Sequence, residues 1–467
     1  MELIKKLFQG DRIIWIIFML FCLISLIEVF SASSTLTYKS GDHWRPITSH
    51  FILLLTGTVV VFVVHIIPCR LFGKAIVLLP VSWALLIAVF IIGALTNGAR
   101  RWIDLGFFQF QPSELAKMAV IISVAYILSR FQTEDGADKK AFKYILMVTG
   151  GTVVLIITEN LSTAVLLATT VYIMMFIGRV PLKQMLKLGG AGVLAIILAV
   201  SSVKYIPDTA WDAVGLHRAT TWKNRLNNHI DQSQVPAAKF DIDNDAQVAH
   251  ANIAIATSNV LGKGPGNSVQ RDFLSQAFSD FIYAIIIEEL GLVGGAFVAL
   301  LYIVLLMRIG KIARGCDKSY YAFLIMGIGV LLSVQAMFNM LVAVGIMPVT
   351  GQPLPLISKG GTSIIVNSAY IGMILSVSRH VYRTQQQEEE DEALKQQQIK
   401  DAAVTILKYA AVQLAQKDLG TYNNSSDANK DNVSNGNDAI NDDESEDDLN
   451  DNKMNEGKTS DNDNGLK

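Results

Sequence analysis

Ten apolar runs separated by short polar segments, from Ile13–Leu26 near one end to Ile364–Val377 near the other, leave this chain few folds to choose from. Several reach the roughly 20 residues that carry a helix across a bilayer, and the shorter ones extend through polar flanks. Backbone in hydrocarbon must satisfy its own hydrogen bonds, so such runs read as transmembrane α-helices. The expected fold is an all-α polytopic membrane protein of about ten helices. The gap between Thr158 and Leu161 marks either two helices or one broken one. Only 17% of residues are charged and 51% are hydrophobic, although the last stretch is very polar. The body is therefore far more apolar than a soluble domain.

Lysine and arginine in the short loops set the orientation. Lys5, Lys6 and Arg12 precede the first run, Arg308, Lys311, Arg314 and Lys318 follow the eighth, and Arg379 and Arg383 close the tenth. These and the other basic loops fall on one side if both termini are cytoplasmic. Arg100, Arg101 and Lys359 fall on the opposite, outer face and need another explanation. The first run lacks a small-residue cleavage site and reads as an anchor, not a cleaved signal peptide. Cys22, Cys69 and Cys316 point to neither a disulfide nor a metal site. The net charge of −2 reflects an acidic tail cancelling a basic rim.

Residues 1–383 make the expected membrane domain. Within it, residues 206–278 form a long outer loop between helices 7 and 8, too polar to span and too long for a simple turn. It carries Trp211, His217, Arg218, Trp222 and Arg225, then the glycine-rich stretch Leu261–Ser268. Residues 384–420 have the pattern of a polar or amphipathic cytoplasmic helix. Residues 421–467, rich in Asn and Asp, cannot bury enough apolar area to fold and read as a disordered tail.

Polar groups gather at the outer helix ends. In Gln109-Phe-Gln-Pro-Ser-Glu-Leu-Ala-Lys117, Pro112 suits a first helical turn, and Glu114 answers the positive helix end. Lys117, one turn on, needs an anion, either Glu114 or a bound phosphate. Trp102 reads as an interfacial anchor or a site residue. Ser162 and Thr163 fit a helix cap. Ser358-Lys-Gly-Gly-Thr362 offers a cation and free backbone N–H groups, which suits an anion or a tight bend. Asp280 opens the segment DFIYAIIIEELGLVGG, either as a helix N-cap or as a base. Glu288 and Glu289 follow about two turns on, roughly 12 Å below it if the segment is one straight helix. Carboxylates at membrane depth are costly and mark function.

At these residues the chain resembles the SEDS family (shape, elongation, division and sporulation) of cell-wall proteins, which includes FtsW and RodA. The matching segments are NGARRWIDLGFFQFQPSELAK, GKGPGNS with FLSQAFSDFIYAIIIEELGLVGG, and NMLVAVGIMPVTGQPLPLISKGGTS. The last of these is closer to the FtsW form than to the RodA form. The resemblance covers residues 10–383. It implies a bacterial cytoplasmic (inner) membrane glycosyltransferase that polymerises lipid II on the outer leaflet, for septal synthesis in cell division. The family's catalytic acid falls on Asp280, and its other motif residues fall on Trp102, Glu114, Lys117 and the segment Ser358, Lys359, Gly360, Gly361 and Thr362. Arg101 joins these as a candidate grip on the pyrophosphate. Three departures stand out: Asn160 where an Asp is usual, Lys359 where a Tyr is usual, and Ala246-Gln…His250-Ala251 in the outer loop.

The resemblance further implies undecaprenyl-pyrophosphate-linked glycan as the growing strand. It implies a class B penicillin-binding protein transpeptidase and other divisome proteins as partners, membrane lipid as the surroundings, and no nucleic acid. No cofactor is required by the motifs, and a divalent cation, Mg or Mn, stays open at the pyrophosphate. Two rival readings are a lipid flippase or transporter using Glu288 or Glu289 as a proton relay, and a non-catalytic scaffold. An elongation role of the RodA kind is the alternative within the family.

Overall fold

A computed structural model describes residues 8–32, 45–96, 99–104, 106, 109–205, 223, 246–274 and 277–427. Trp211, His217, Arg218, Trp222 and Arg225 lie outside the described residues, as does the tail beyond Asp427. The chain divides into two compact units, Met1–Glu389 and Glu390–Lys467. The second is helical through Asp427.

The first unit is built of helices in the places the apolar runs mark. They are α1 (Arg12–Ala32), α2 (Arg45–Ile66), α3 (Leu78–Ile92, entered through a 3₁₀ segment, Cys69–Val77), α4 (Pro112–Arg130), α5 (Lys139–Ile157), α6 (Leu161–Ile177) and α7 (Leu182–Tyr205). After the short α8 (Ala246–Ala256) come α9 (Ile282–Arg314), α10 (Ser319–Ala343) and α11 (Gly361–Asp427). Among the described residues, eight helices are long and apolar enough to cross a membrane, and α6 is shorter. α4, α10 and the first part of α11 are largely buried, whereas α2 and α3 leave most of their apolar surface outward, as lipid-facing helices do.

Local chemistry explains the helix ends. Pro112 opens α4 with Glu114 in its first turn and Arg130 in its last, complementing the dipole at both ends. Asp138 caps α5 by accepting from Lys140 N, and Asn160 caps α6 by accepting from Thr163 N at 3.2 Å. Thus the residue that departs from the family pattern, Asn160, is the α6 cap, and Thr163 is not. The all-helical pattern is interrupted by two small antiparallel β elements. Ala94–Thr96, Ala99–Asp104 and Gln109–Phe110 form β1-β2-β3 ahead of α4, and Gln132–Thr133 pairs with Gly136–Ala137 after it.

Two clusters fix the ends of the bundle. At the basic end, Asp11 Oδ1 accepts from Ile13 N and Ile14 N at the start of α1. Its Oδ2 accepts from Arg308 Nε at 2.7 Å and from the Tyr382 hydroxyl at 3.2 Å. At the far end, Ser31 in the last turn of α1 meets Arg271 and Glu289.

α9 is not one straight rod. Gly291 has φ 74° and ψ −177°, and the helix folds back there. The Tyr283 hydroxyl donates to Gly295 O at 3.1 Å. In a straight helix those residues stand roughly 18 Å apart. Ile282–Leu290 is therefore an inner arm running toward the far end, and the remainder of α9 returns to Arg308 at the basic end. Glycine is required at the turn: a Cβ on Gly291 would stand 2.2 Å from Val260 O, and one on Gly262 would stand 2.3 Å from Glu289 O.

Candidate active site

The hairpin reverses the depth order expected from sequence. Glu289 accepts from Ser31, whereas Ser279, next to Asp280, is bonded through its carbonyl to Ser358 Oγ at 2.7 Å. The neighbouring Ile357 O accepts from Ser25 Oγ at 2.7 Å. Ser25 lies six residues below Ser31 on α1, roughly 9 Å. Asp280 is thus recessed toward the middle of the bundle and the glutamates sit nearer the far end. Asp280 is not an N-cap either, because Phe281 takes that position and no side chain caps α9.

Asp280 is half-buried, and its Oδ1 accepts from Ser279 Oγ at 3.2 Å. Backbone at Gly351 lies beside the carboxylate, where a Cβ would stand 3.7 Å from Oδ2. Below it, Asn339 Nδ2 donates to both Asp280 O and Gln352 O at 2.9 Å. Gln352 Nε2 donates to Thr163 Oγ1 at 3.0 Å, and Gln335 Nε2 donates to Pro353 O at 2.9 Å. The Gly351–Ser358 segment is held at nearly every residue and contains Leu356 at φ 65°, a costly conformation for a bulky side chain. Strain of that kind persists only where the surroundings over-determine it, and it gathers at functional sites.

Four sequence candidates prove to be supports. Lys117 is fully buried, with Nζ 2.9 Å from Glu114 Oε1 and 3.1 Å from Gln335 Oε1. Its anion is Glu114, so neither side chain has surface left to grip a ligand. Ser358 is buried between Leu354 N and Ser279 O. Thr362 is buried too, accepting from Gln111 N and donating to Gln109 O, which ties the start of α11 to the start of α4. These residues were expected to bind substrate; in the structure their side chains are buried and engaged within the bundle.

The remaining candidates keep accessible surface. Lys359 N donates to Phe278 O at 2.9 Å, so residues 358–359 run beside 278–279, and its ammonium stands 5.7 Å from the Phe278 ring centroid. Burial pushes the Lys359 ammonium below its usual range. Gly360 and Gly361 lead from it into α11, both partly accessible. Arg101 Nε donates to Glu159 O, and Arg100 N to Glu159 Oε2, each at 2.8 Å. β2 thereby leans on the turn before α6, with Trp102 half-buried in the same strand.

Glu288 and Glu289 are fully buried and saturated. Glu288 accepts from Lys263 Nζ at 2.6 Å, Ser268 Oγ at 2.5 Å, Val269 N and Gln270 N. Glu289 accepts from Ser31 Oγ, Ser268 N and Gly266 N. Together they bind the glycine-rich loop to the inner arm. His250 is engaged with Gln270 at 2.7 Å and stacked on Phe273. Gln335, Asn339 and Gln352 were not singled out in the sequence. A signal was present for the first two, since an amide at membrane depth in an apolar helix must have partners.

A family model described as a cell cycle protein, FtsW/RodA/SpoVE, matches residues 11–383. The probable peptidoglycan glycosyltransferase FtsW of Saccharophagus degradans is 32% identical over 376 residues, covering 78% of this chain and 92% of that protein. Stage V sporulation protein E of Bacillus subtilis is 30% identical over 378 residues, 79% of this chain and 97% of the relative. Among solved structures, a chain of a peptidoglycan synthase complex that coordinates polymerization and crosslinking is 25% identical with TM-score 0.63, over 80% of this chain and 98% of its own. The rod shape determining protein RodA of Thermus thermophilus shares the fold, at TM-score 0.55 and 24% identity over 80% of this chain and 98% of its own.

Proposed function

The chain belongs to the FtsW/RodA/SpoVE family of cell cycle proteins, and on that premise we propose that it is a peptidoglycan glycosyltransferase polymerising lipid II for septal wall synthesis, with Asp280 as its general base. The observation that carries the assignment of Asp280 is its carboxylate, half-buried and set beside segments that buried polar groups hold in place. The 4-hydroxyl oxygen of the acceptor sugar attacks the anomeric carbon of the growing strand while its proton passes to Asp280. The bond from that carbon to the pyrophosphate oxygen breaks with inversion, and undecaprenyl pyrophosphate leaves. Lys359 and Arg101 are the accessible cations to hold the pyrophosphate, which is charged in the bound substrate and in the leaving group alike. Glu114, Lys117, Gln335 and Asn339 act one step away by fixing the Gly351–Ser358 segment and the backbone of Asp280.

Among the described residues no three His, Cys, Asp or Glu gather to hold a metal ion. The distribution of Lys and Arg supports both termini in the cytoplasm and the site on the extracytoplasmic side of the bacterial inner membrane. A transpeptidase of the class B penicillin-binding type is the partner this reading expects, by likeness to a chain of a complex that couples polymerization to crosslinking. The relay reading of Glu288 and Glu289 loses its support, since every carboxylate oxygen there already accepts a hydrogen bond.

The test is glycan polymerisation from purified lipid II, with wild type and Asp280→Asn, each alone and with the transpeptidase. Polymer from the wild type and none from a folded Asp280→Asn supports enzyme and base together. Equal polymer from both removes Asp280 as the base. No polymer from either, even with the partner, overturns the assignment.

A further inference from the structure

At the basic end of the first unit a groove of about 1240 Å³ opens between the start of α1, the end of α9 and the middle of α11. Among the described residues four arginines line it, Arg12, Arg308, Arg379 and Arg383, and no carboxylate does. Arg308 is paired with Asp11, which is itself buried behind the groove. Arg383 donates to Gln9 Oε1 at 2.7 Å and Arg379 to Ile66 O at 3.0 Å, both neutral acceptors. Arg379 and Arg383 are one helical turn apart, where like charges repel. Among the described residues, Arg12, Arg379 and Arg383 form no ion pair, so the groove holds an uncompensated positive charge.

Below the arginines the wall becomes apolar. Ile13, Ile16, Met19 and Leu23 line it as one stripe along α1, and they are 38%, 58%, 40% and 54% exposed. From Ile13 to Leu23 is ten residues, roughly 15 Å of helix. That is about half of the roughly 30 Å hydrocarbon core, the length of one leaflet. A cationic head pocket continuous with an apolar stripe one leaflet deep matches a diacyl lipid carrying net negative charge.

We propose that this groove is a binding site for an anionic glycerophospholipid of the leaflet at the basic end, which the Lys and Arg distribution makes the cytoplasmic one. The guanidinium forks take the phosphodiester and the α1 stripe takes an acyl chain. A zwitterionic lipid leaves the excess charge unanswered, and a free phosphate leaves the stripe uncovered. The site is separate from Asp280 and does not depend on the catalytic reading.

Native mass spectrometry of the full chain, titrated with phosphatidylglycerol or phosphatidylcholine, tests it. The wild type is expected to retain one phosphatidylglycerol more tightly than phosphatidylcholine. The double variant Arg379→Gln/Arg383→Gln should weaken phosphatidylglycerol binding roughly thirtyfold and leave phosphatidylcholine unchanged. Arg12→Gln, at an exposed position that threatens no packing, should weaken it roughly fivefold and keeps the test valid if the double variant fails to fold. Glycerol 3-phosphate at millimolar concentration should not displace the lipid. Equal retention of the two lipids, phosphatidylglycerol binding unchanged in the variants, or full displacement by glycerol 3-phosphate would overturn the proposal.

Discussion

The two ends of one short helix arm carry the same chemical group in opposite circumstances. At the far end, Glu288 and Glu289 have no exposed surface, and their oxygens are filled by Lys263, Ser31, Ser268 and the backbone of the glycine-rich loop. At the inner end, Asp280 is half-buried and flanked by Ser279 Oγ and the backbone at Gly351. A carboxylate sealed from solvent, with each oxygen already accepting a hydrogen bond, stabilises a fold and is poorly placed to take a proton from a substrate. Depth in the membrane does not separate the two kinds; accessible surface does. The lysines divide the same way, with Lys117 sealed against Glu114 and Lys359 only partly buried beside the Phe278 ring.

Asp280→Asn is the sharpest test of that contrast. Polymerisation should fall by roughly 10²–10⁴, the usual worth of a general base, with the melting temperature in detergent unchanged. Lys117→Met comes next and should do the reverse. It strands Glu114 in a fully buried site, at a cost of about 3–5 kcal/mol read in the melting curve. Any remaining activity should rise when the protein is assayed cold. Glu288→Gln is smaller, about 1.5–3 kcal/mol, since Lys263 is partly exposed and water replaces part of the pair. Limited proteolysis should then cut within residues 261–268, while the activity of intact molecules persists. A stable Glu288→Gln protein with no activity would break the contrast and restore the relay reading.

Much of this arrangement was legible in the sequence. The Glu114–Lys117 spacing already offered Glu114 as one of two anions for Lys117, the other being a bound phosphate, and Pro112 already marked the start of α4. The helical hairpin was not legible, because both arms are apolar and Gly291 resembles the packing glycines Gly294 and Gly295 beside it. What turns the chain there is the approach of Val260 and Gly262, some thirty residues upstream, which local periodicity cannot encode. Asn339 and Gln335 were readable in principle, since neither amide fits an apolar face without a partner. Their partners, Asp280 O, Gln352 O and Pro353 O, come from distant loops, so sequence alone would have given the need and not the answer.

Lys359 gives the smallest effect and joins both halves of the contrast, because it is a partly buried cation that keeps accessible surface. Replacing it with Met should raise the KM for lipid II about tenfold with little change in kcat, the expected loss for one charge-assisted contact to pyrophosphate. Its lowered pKa adds a pH signature. As pH rises through that value the ammonium is lost earlier than an exposed lysine near 10.5 would lose it, so the KM rises. Over the same window the unfolded chain binds more protons than the folded one, so stability increases with pH. Opposite slopes of affinity and stability should therefore appear together in the wild type. Both should vanish in Lys359→Arg, whose charge does not titrate there. Parallel slopes, or slopes that survive the Arg substitution, would assign the titration to another group and leave Arg101 as the remaining accessible cation for the leaving pyrophosphate.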